Sequence, residues 1–433
     1  MKHIFVVGLD DMHLAQLRAL PEAGDYAFHP LLTYAEVKQQ DRFPVARLLD
    51  EGVSVLRGFE AGADAVVGYW DFPVSTVLPI LRGAVGLPGP TLEAVIACEH
   101  KFWSRRLQAE VAAEHVPPFC VVDPFADDPL AQVEIDFPFW LKPVKSVLSH
   151  LGFRIDDEAD FREAIDRIRP AIGRYAEPFD LIMSRARLPP EIAAVGGRHC
   201  IAEGIISAPR QVTQEGYVHG GEVHVYGCID SRRCGPKGSS FSRYQYPSSL
   251  PPAVLERMDA ITGRVMGHIG YDMAPFNIEY FWDDVDDSIR LLEINPGISK
   301  SHAPLFRMVD GCYHHQVMID LGLGQAPRPC RGHGDCGLAA KFMVRELGDA
   351  LVERAPTPAE IAAAEAAVPH SRIDIEVREG QRLSELRDQD SYSYEVAAIF
   401  VGGDSEAELE ARFGACMSRL PLQFEREGFG PGA

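Results

Sequence analysis

The amino-acid sequence predicts an α/β unit followed by a longer α+β region. Short apolar strands alternate with helical segments up to about residue 95, and strands bounded by turn residues prevail from about Val121 onward. A Pro- and Cys-bearing stretch then separates a last mixed segment. With 433 residues, 46% of them hydrophobic and 24% charged, the chain is long enough for more than one core.

Taken in order, "HIFVVGL" reads as a strand, "MHLAQLRAL" as a helix, "YAFHPLL" and "ADAVVGYW" as two further strands, and "TVLPILRGA" as a helix. Thr91 is placed to cap the next helix, another begins at Lys101, and Pro117-Pro118 ends that stretch. Strands are expected at "PFWLKPV", "HCIAEGII", "FNIEYFW" and "IRLLEIN", and "VHGGEVHV" reads as a hairpin turning through Gly220-Gly221. Helices are expected from Asp157 to Arg169, from Ala253 to Ile269 and over "YHHQVMIDLGLG". "QAPRPCRGHGDCG" reads as a linker, followed by strands near "AAKFMVRE" and "EVAAIFVGG" and a helix near "SEAELEARFGACMSRL". No internal repeat or low-complexity tract interrupts this order.

A net charge of -21 argues against nucleic acid or an anionic membrane as partner, because both reward a basic face. The apolar run in "MKHIFVVGLDDM" is too short for a signal segment or a membrane span, so a cytoplasmic enzyme is the expectation. The nine Cys sit mostly in apolar surroundings, as reduced buried thiols do. Cys330, His333 and Cys336 have ligand-like spacing, but no clean second pair completes a zinc site. "GHGDCG" fits G-x-G-x-x-G yet follows a linker and opens no helix, which excludes the dinucleotide reading, and no P-loop occurs.

The most informative stretch is "LLEINPGISKSHAP". Residues two apart on a strand share a face, so Glu293 and Asn295 point one way while Leu292 and Ile294 point the other. Glu279 lies on the preceding hairpin strand, and two carboxylates with an amide oxygen make a hard site suited to Mg²⁺ bridging phosphates. An isolated E-x-N is more often a solvated edge strand, and its weight here comes from the motifs around it.

"FNIEYFW" with "RLLEINPGISKSH" resembles the metal strands of the ATP-grasp superfamily, of the carboxylate-amine ligase type. The Asn-Pro-Gly-Ser-His end looks like the loop of the D-alanine:D-alanine ligase branch. The resemblance covers about residues 3 to 310 and implies an ATP-grasp fold. A pre-ATP α/β domain is expected over 1–95, an N-terminal lobe with linker helices over 96–200, a C-terminal lobe with the Mg site over 201–325 and a C-terminal α+β module over 326–433. It implies Lys101 and Lys142 as phosphate-binding lysines and Glu203, with the backbone of Ile205 and Ile206, as the adenine-reading hinge. Gln211 and Glu215 follow as ribose-side residues, and Glu279, Glu293 and Asn295 as metal ligands for Mg²⁺, with Mn²⁺ as the alternative. Arg243, in competition with Arg232 and Arg233, is the phosphate-contacting arginine. "KPVKSVLSHLGF" departs from the Gly-rich flap of many members, so Lys145, Ser146, Ser149 and His150 are the expected substitutes. Gly297 stands where many members carry an Arg, which leaves Lys300 to supply that charge, with Ser301 and His302 beside it.

The implied activity is amide or peptide bond formation through an acyl phosphate, with ATP consumed to ADP and phosphate. Its partners are small-molecule carboxylate and amine substrates, and ligases of this type are often homodimers. Other ATP-grasp reactions, carboxylation or phosphoryl transfer, and a catalytically silent ATP-binding scaffold are the competing readings. "SRARLPPEIAAVGGRHC" and "CGPKGSSFSRYQYPSS" are the expected walls of the acceptor pocket.

Overall fold

A computed structural model describes residues 1–147, 150–206, 208–235, 238, 240–387, 389 and 392–425. The first sheet is parallel, with β1 (Lys2–Leu9) between β2 (Tyr26–Thr33) and β3 (Ala65–Val67). Both faces are covered, as the unbroken apolar run in β1 requires. Phe5 and Val7 pack with the helices Val45–Gly58 and Val74–Ala84. Ile4 and Val6 pack with Leu17 and, from far along the chain, with Met318 and Ile319 of the helix His315–Gly322. That long-range packing brings the segment after Asn295 to the edge of the first sheet.

The second sheet is antiparallel: β4 (Phe119–Val122), β5 (Phe139–Pro143), β6 (Phe153–Ile155) and β7 (Cys200–Gly204), in the order β4-β7-β5-β6. The helix Glu158–Ala171 packs Phe161, Ile165 and Ile168 onto it. Because β7 pairs with both β4 and β5, the expected division at residue 200 falls at the start of a central strand of this sheet.

The third sheet has eight strands. Its members are β8 (Arg210–His219), β9 (Glu222–Cys234), β10 (Ser240–Tyr246), β11 (Ala274–Trp282), β12 (Ile289–Asn295) and β13 (Leu338–Glu346), with two more from the C-terminal segment. A short separate pair joins β14 (Leu351–Arg354) to a late strand, β17 (Gln423–Glu425); between them in sequence lie β15 (Ser371–Ile375) and β16 (Tyr394–Gly403). The order of the large sheet is β12-β11-β8-β9-β10-β13-β16-β15. Gly220 and Gly221 both have positive φ, 62° and 82°, the backbone that a two-residue hairpin demands. The segment expected as a separate module over 326–433 supplies β13, β15 and β16 to this sheet. The β10–β13 pairing satisfies an edge that would otherwise be open.

The cysteines depart from the expectation of reduced thiols throughout. Cys312 and Cys330 form a disulfide, while Cys98, Cys120, Cys200, Cys228, Cys234, Cys336 and Cys416 are free. Cys330 is thereby committed away from His333 and Cys336. Among the described residues, no helix is long and apolar enough to cross a membrane.

Tight layer contacts set the position of β8. A Cβ added to Gly216 would lie 2.8 Å from the His224 carbonyl oxygen, so a backbone must shift to admit it. We predict that Gly216→Ala lowers stability by about 1–3 kcal/mol, the range for overpacking. Urea unfolding measures this, and an unchanged midpoint would contradict the close approach of β8 and β9.

Candidate functional site

One cleft of about 1840 Å³ is lined by residues of the second and third sheets, with others from the segment after β3 and from the C-terminal strands. It exceeds the roughly 300–1,000 Å³ of a single small-ligand pocket. Lys101, Lys142, Lys145, Glu203, Ile205, Ile206, Gln211, Glu279, Glu293, Asn295, Lys300, Ser301 and His302 all line it. Glu215 and Arg243 do not, and Ser149 lies outside the described residues.

The metal-type cluster depends on register. Glu279 stands directly opposite Glu293, and Asn277 opposite Asn295, so all four side chains share one face of β11 and β12. Asn295 Nδ2 donates to Asn277 Oδ1 at 2.9 Å, and Asn277 Nδ2 donates to the Gly297 carbonyl at 3.0 Å. These bonds turn Asn295 Oδ1 outward, where it accepts no hydrogen bond from a described residue. Asn277 was missed in the sequence, although N-x-E in "FNIEYFW" mirrors E-x-N on the partner strand.

Burial, followed by the facing Glu293, pushes Glu279 up to about 7. Burial also opposes charge on Glu293, but Lys101 and Lys142 prevail and hold its carboxyl low. Lys101 Nζ donates to Glu293 Oε2 at 3.4 Å. Gln211 Nε2 donates to Glu279 Oε2 at 2.7 Å, and Arg233 Nε donates to Gln211 Oε1 at 2.5 Å. Two facing carboxylates, one reluctant to ionise beside the other, together with an open amide oxygen, are a donor set that fits a divalent hard cation.

The hinge expectation changes in detail. Glu203, at 4% exposure, has both oxygens committed: Oε1 accepts from Arg105 Nε at 2.6 Å and Oε2 pairs with Lys142 Nζ at 2.5 Å. Burial resists its charge, but Arg105 and Lys142 outweigh it and hold the carboxyl at about 2. Its side chain is therefore an anchor for two cations, while Ile205 and Ile206 line the cleft beside it. Trp140, Phe281 and Leu292 supply apolar wall in the same cleft. Arg105 also donates to the Leu291 and Leu292 carbonyls at 2.8 and 2.6 Å, tying its helix to β12. It sits one helical turn after Lys101, a spacing that could have flagged it.

Three other assignments move. Arg243 faces away because a register shift between Phe241 and Arg243 breaks the alternation of β10, leaving Phe241 and Tyr244 toward the cleft. Arg243 instead pairs with Glu410 at 2.8 Å, and Arg233 is the arginine beside Glu279. Glu215 is fully buried under the 296–302 loop: it accepts from the Ser299 amide at 3.1 Å and pairs with His302 Nδ1 at 2.7 Å, which takes it away from a ribose-facing position. Burial pushes Glu215 well up and drives His302 down to about 3, so one proton shared between them is favoured over separated charges, and His302 Nδ1 is already engaged. Lys145 reaches the cleft floor with its ammonium paired to Glu99, between the rings of Phe72 and Phe179. Burial lowers it to about 7, although Asp71 and Glu293 pull the other way.

At the far end, Lys300 Nζ lies 4.7 Å from the Trp70 ring centroid. Lys341, Arg345, Glu376 and Glu395 of the C-terminal strands and their connections complete that wall. No residue of the segment 184–200 lines the cleft, contrary to expectation, while Phe241 and Tyr244 of the second expected loop do. The cleft's described lining carries thirteen Lys or Arg against eight Asp or Glu, in a chain with 42 of the former and 63 of the latter. That reversal of sign makes a local sink for anions.

No protein-family profile and no curated protein sequence matches the chain. Its structure is similar to that of an L-amino acid ligase from Bacillus licheniformis: 16% identity, 98% of this chain and 99% of that one, TM-score 0.69. It is also similar to carboxyaminoimidazole ribonucleotide synthase from Aspergillus clavatus, solved with ATP: 13% identity, 96% and 98% of the chains, TM-score 0.65. A third is the biotin carboxylase domain of a 2-oxoglutarate carboxylase from Hydrogenobacter thermophilus, a dimer solved with MgADP: 16% identity, 98% and 91%, TM-score 0.64. The chain has the ATP-grasp fold.

Two outcomes are expected. Glu203→Gln leaves Arg105 and Lys142 without their counter-charge and should cost about 3–5 kcal/mol in chemical unfolding, the range for breaking a buried pair; a loss below about 1 kcal/mol would contradict the anchor. The Glu279 carboxyl is raised from 4.5 to about 7, so between those values the folded chain binds the extra proton. Its contribution to stability is thus present at low pH and lost as pH rises through about 7. Melting temperatures of ligand-free wild type and Glu279→Gln should converge at pH 5 and diverge, with the variant the more stable, at pH 8; parallel profiles would rule this out.

Proposed function

We propose that the protein is an ATP-dependent ligase that joins a small carboxylic acid to an amine, making an amide or peptide bond and releasing ADP and phosphate. The observation that carries this reading is the facing pair Glu279 and Glu293 with Asn295 Oδ1 beside them, in a cation-lined cleft that Lys101 and Lys142 also enter. Bare carboxylates would repel a triphosphate. Held with a divalent ion, the same groups fit one.

Glu279, Glu293 and Asn295 would hold Mg²⁺. When bound there it supplies neutralising charge on the β- and γ-phosphates. Lys101, one helical turn from Arg105, and Lys142, held by Glu203, offset the remaining phosphate charge; Arg233, anchored through Gln211, stands beside them. The apolar wall at Ile205, Ile206, Trp140 and Phe281 suits a purine ring.

A carboxylate cannot be displaced by an amine directly, because oxide would have to leave. In the proposed sequence, a carboxylate oxygen of the substrate attacks the γ-phosphorus and the bond to the β–γ bridging oxygen breaks. ADP departs with that electron pair, and the acid becomes an acyl phosphate. The amine then attacks the carbonyl carbon, the C–O bond to phosphate breaks, and the nitrogen gives up its proton as phosphate leaves. No side-chain nucleophile is needed. The 299–302 loop, pinned by Glu215, presents Ser301 and Lys300 to the acyl end.

The experiment is detection of ADP, AMP and phosphate with Mg-ATP, pooled carboxylic acids and pooled amino acids, beside Glu293→Gln. ADP and phosphate release that requires the pools and falls by about 10²-fold or more in the variant supports the ligase, by analogy with losing one electrostatic group at a reacting centre. AMP formation would sink the acyl-phosphate route. Nucleotide binding without turnover on any pool would favour a silent ATP-binding protein.

A further inference from the structure

We infer that Lys145, held by Glu99 and through it by Ser75, takes the proton that the attacking amine must lose before the amide bond forms. This rests on the ligase reading above and adds a proton acceptor to it.

Three buried polar side chains form a hydrogen-bonded row along the cleft floor. Ser75, on the helix Val74–Ala84, donates its hydroxyl to one Glu99 oxygen, and Lys145 Nζ pairs with the other. Lys145 is 4% exposed and Ser75 and Glu99 are each 7%, yet all three line the cleft. Lys145 Nζ lies 5.0 Å from the Phe72 ring centroid and 5.7 Å from that of Phe179, a setting in which an ammonium is poorly solvated. Burial brings it down to about 7; Asp71 and Glu293 pull the other way, and Lys38 adds to the fall.

The row stands where the two ends of the cleft meet. On one side, Phe72 is two residues on from Trp70, the ring that Lys300 lies over. On the other, the Ser146 carbonyl accepts from Lys101 Nζ at 3.5 Å, and the same Nζ donates to Glu293 of the metal-type strand. An acyl phosphate would form between those sides, its phosphoryl group coming from one and its acyl group from the other. A lysine already paired with a carboxylate offers a phosphate little net charge, which points away from phosphate binding. Other groups of the lining are engaged elsewhere: Glu203 with Arg105 and Lys142, Glu395 with Lys341 and Arg345. His302 has Nδ1 turned to Glu215 and is driven down to about 3 by burial. Asp71, Glu376 and Glu385 are exposed.

The amine arrives as an ammonium ion and cannot attack until one of its N–H bonds breaks. The electron pair of that bond stays on the nitrogen, and the proton forms a new N–H bond at Lys145 Nζ. The lysine thereby becomes an ammonium beside the Glu99 carboxylate. The freed amine attacks the acyl carbon, phosphate leaves with the C–O electron pair and takes the second proton, and Lys145 later returns its own proton to water.

The test compares two acceptors at pH 8, with Mg-ATP and the pooled carboxylic acids present in both. One is the pooled amino acids, whose amino groups must shed a proton. The other is hydroxylamine, which is neutral at that pH and traps an acyl phosphate as a hydroxamate. The variants are Lys145→Met and the double change Glu99→Gln with Lys145→Met, which removes both charges of the buried pair together. In each we expect the ratio of amide to hydroxamate to fall by about 10²-fold, the scale of general acid–base catalysis. Hydroxamate from the same sample shows that the fold is intact. Wild-type amide formation should rise with pH through about 7, since the neutral lysine is the form that accepts a proton, and the variants should lack that rise. NMR titration should show a lysine with its midpoint near 7 that is missing from Lys145→Met.

The inference is overturned if amide and hydroxamate fall together in both variants, if their ratio holds, or if Lys145 titrates at its ordinary 10.5. In each of those cases ADP release by the wild type would leave the ligase reading standing. No ADP release by the wild type with either acceptor would remove the ligase reading, and this inference with it.

Discussion

The cleft is organised around one buried carboxylate. Glu203 on β7 accepts from Arg105 on a helix and pairs with Lys142 on β5, and Arg105 continues to two carbonyls of β12. Four elements far apart in sequence are thereby held at fixed separation. The cost of burying three ionised groups is met only because each finds a partner and Arg105 spends its remaining donors on backbone oxygens and Gln108. That junction holds Lys142 at the cleft and gives the second sheet a polar tether to the third.

The second constraint is electrostatic. The chain as a whole is acidic, yet cations gather along the cleft and carboxylates are set in opposition among them. The two facing carboxyls are driven in opposite directions: burial and then Glu293 raise Glu279, while Lys101 and Lys142 outweigh burial and hold Glu293 low. Glu99, Glu203 and Glu395 play another part: each holds a Lys or Arg side chain in place along the wall.

The loop from Pro296 to His302 joins the two ends of the cleft. It leaves β12 at Asn295, is pinned beneath by Glu215, and reaches Trp70, in the segment that follows β3, through Lys300. Its position follows from the helix His315–Gly322 packing on β1 and β3, so the same apolar contacts that complete the first core also set this end of the cleft. The disulfide from Cys312 to Cys330 closes the chain around that helix.

The local pattern of the sequence determined the elements, because alternation of period two, turn glycines and capping residues act over a few residues. It also carried the E-x-N face and the order of the lysine motifs, since strand geometry alone aligns residues two apart. What the tertiary structure decided was where those groups spend their charges. A register shift in β10 turns Arg243 outward and leaves Arg233 in its place. A crossing loop covers Glu215, two cations take up both oxygens of Glu203, and Glu99 captures Lys145. The C-terminal strands become a wall of the cleft by pairing with β10. None of this is periodic along the chain. Each depends on which distant side chain arrives within hydrogen-bonding reach, and only packing fixes that.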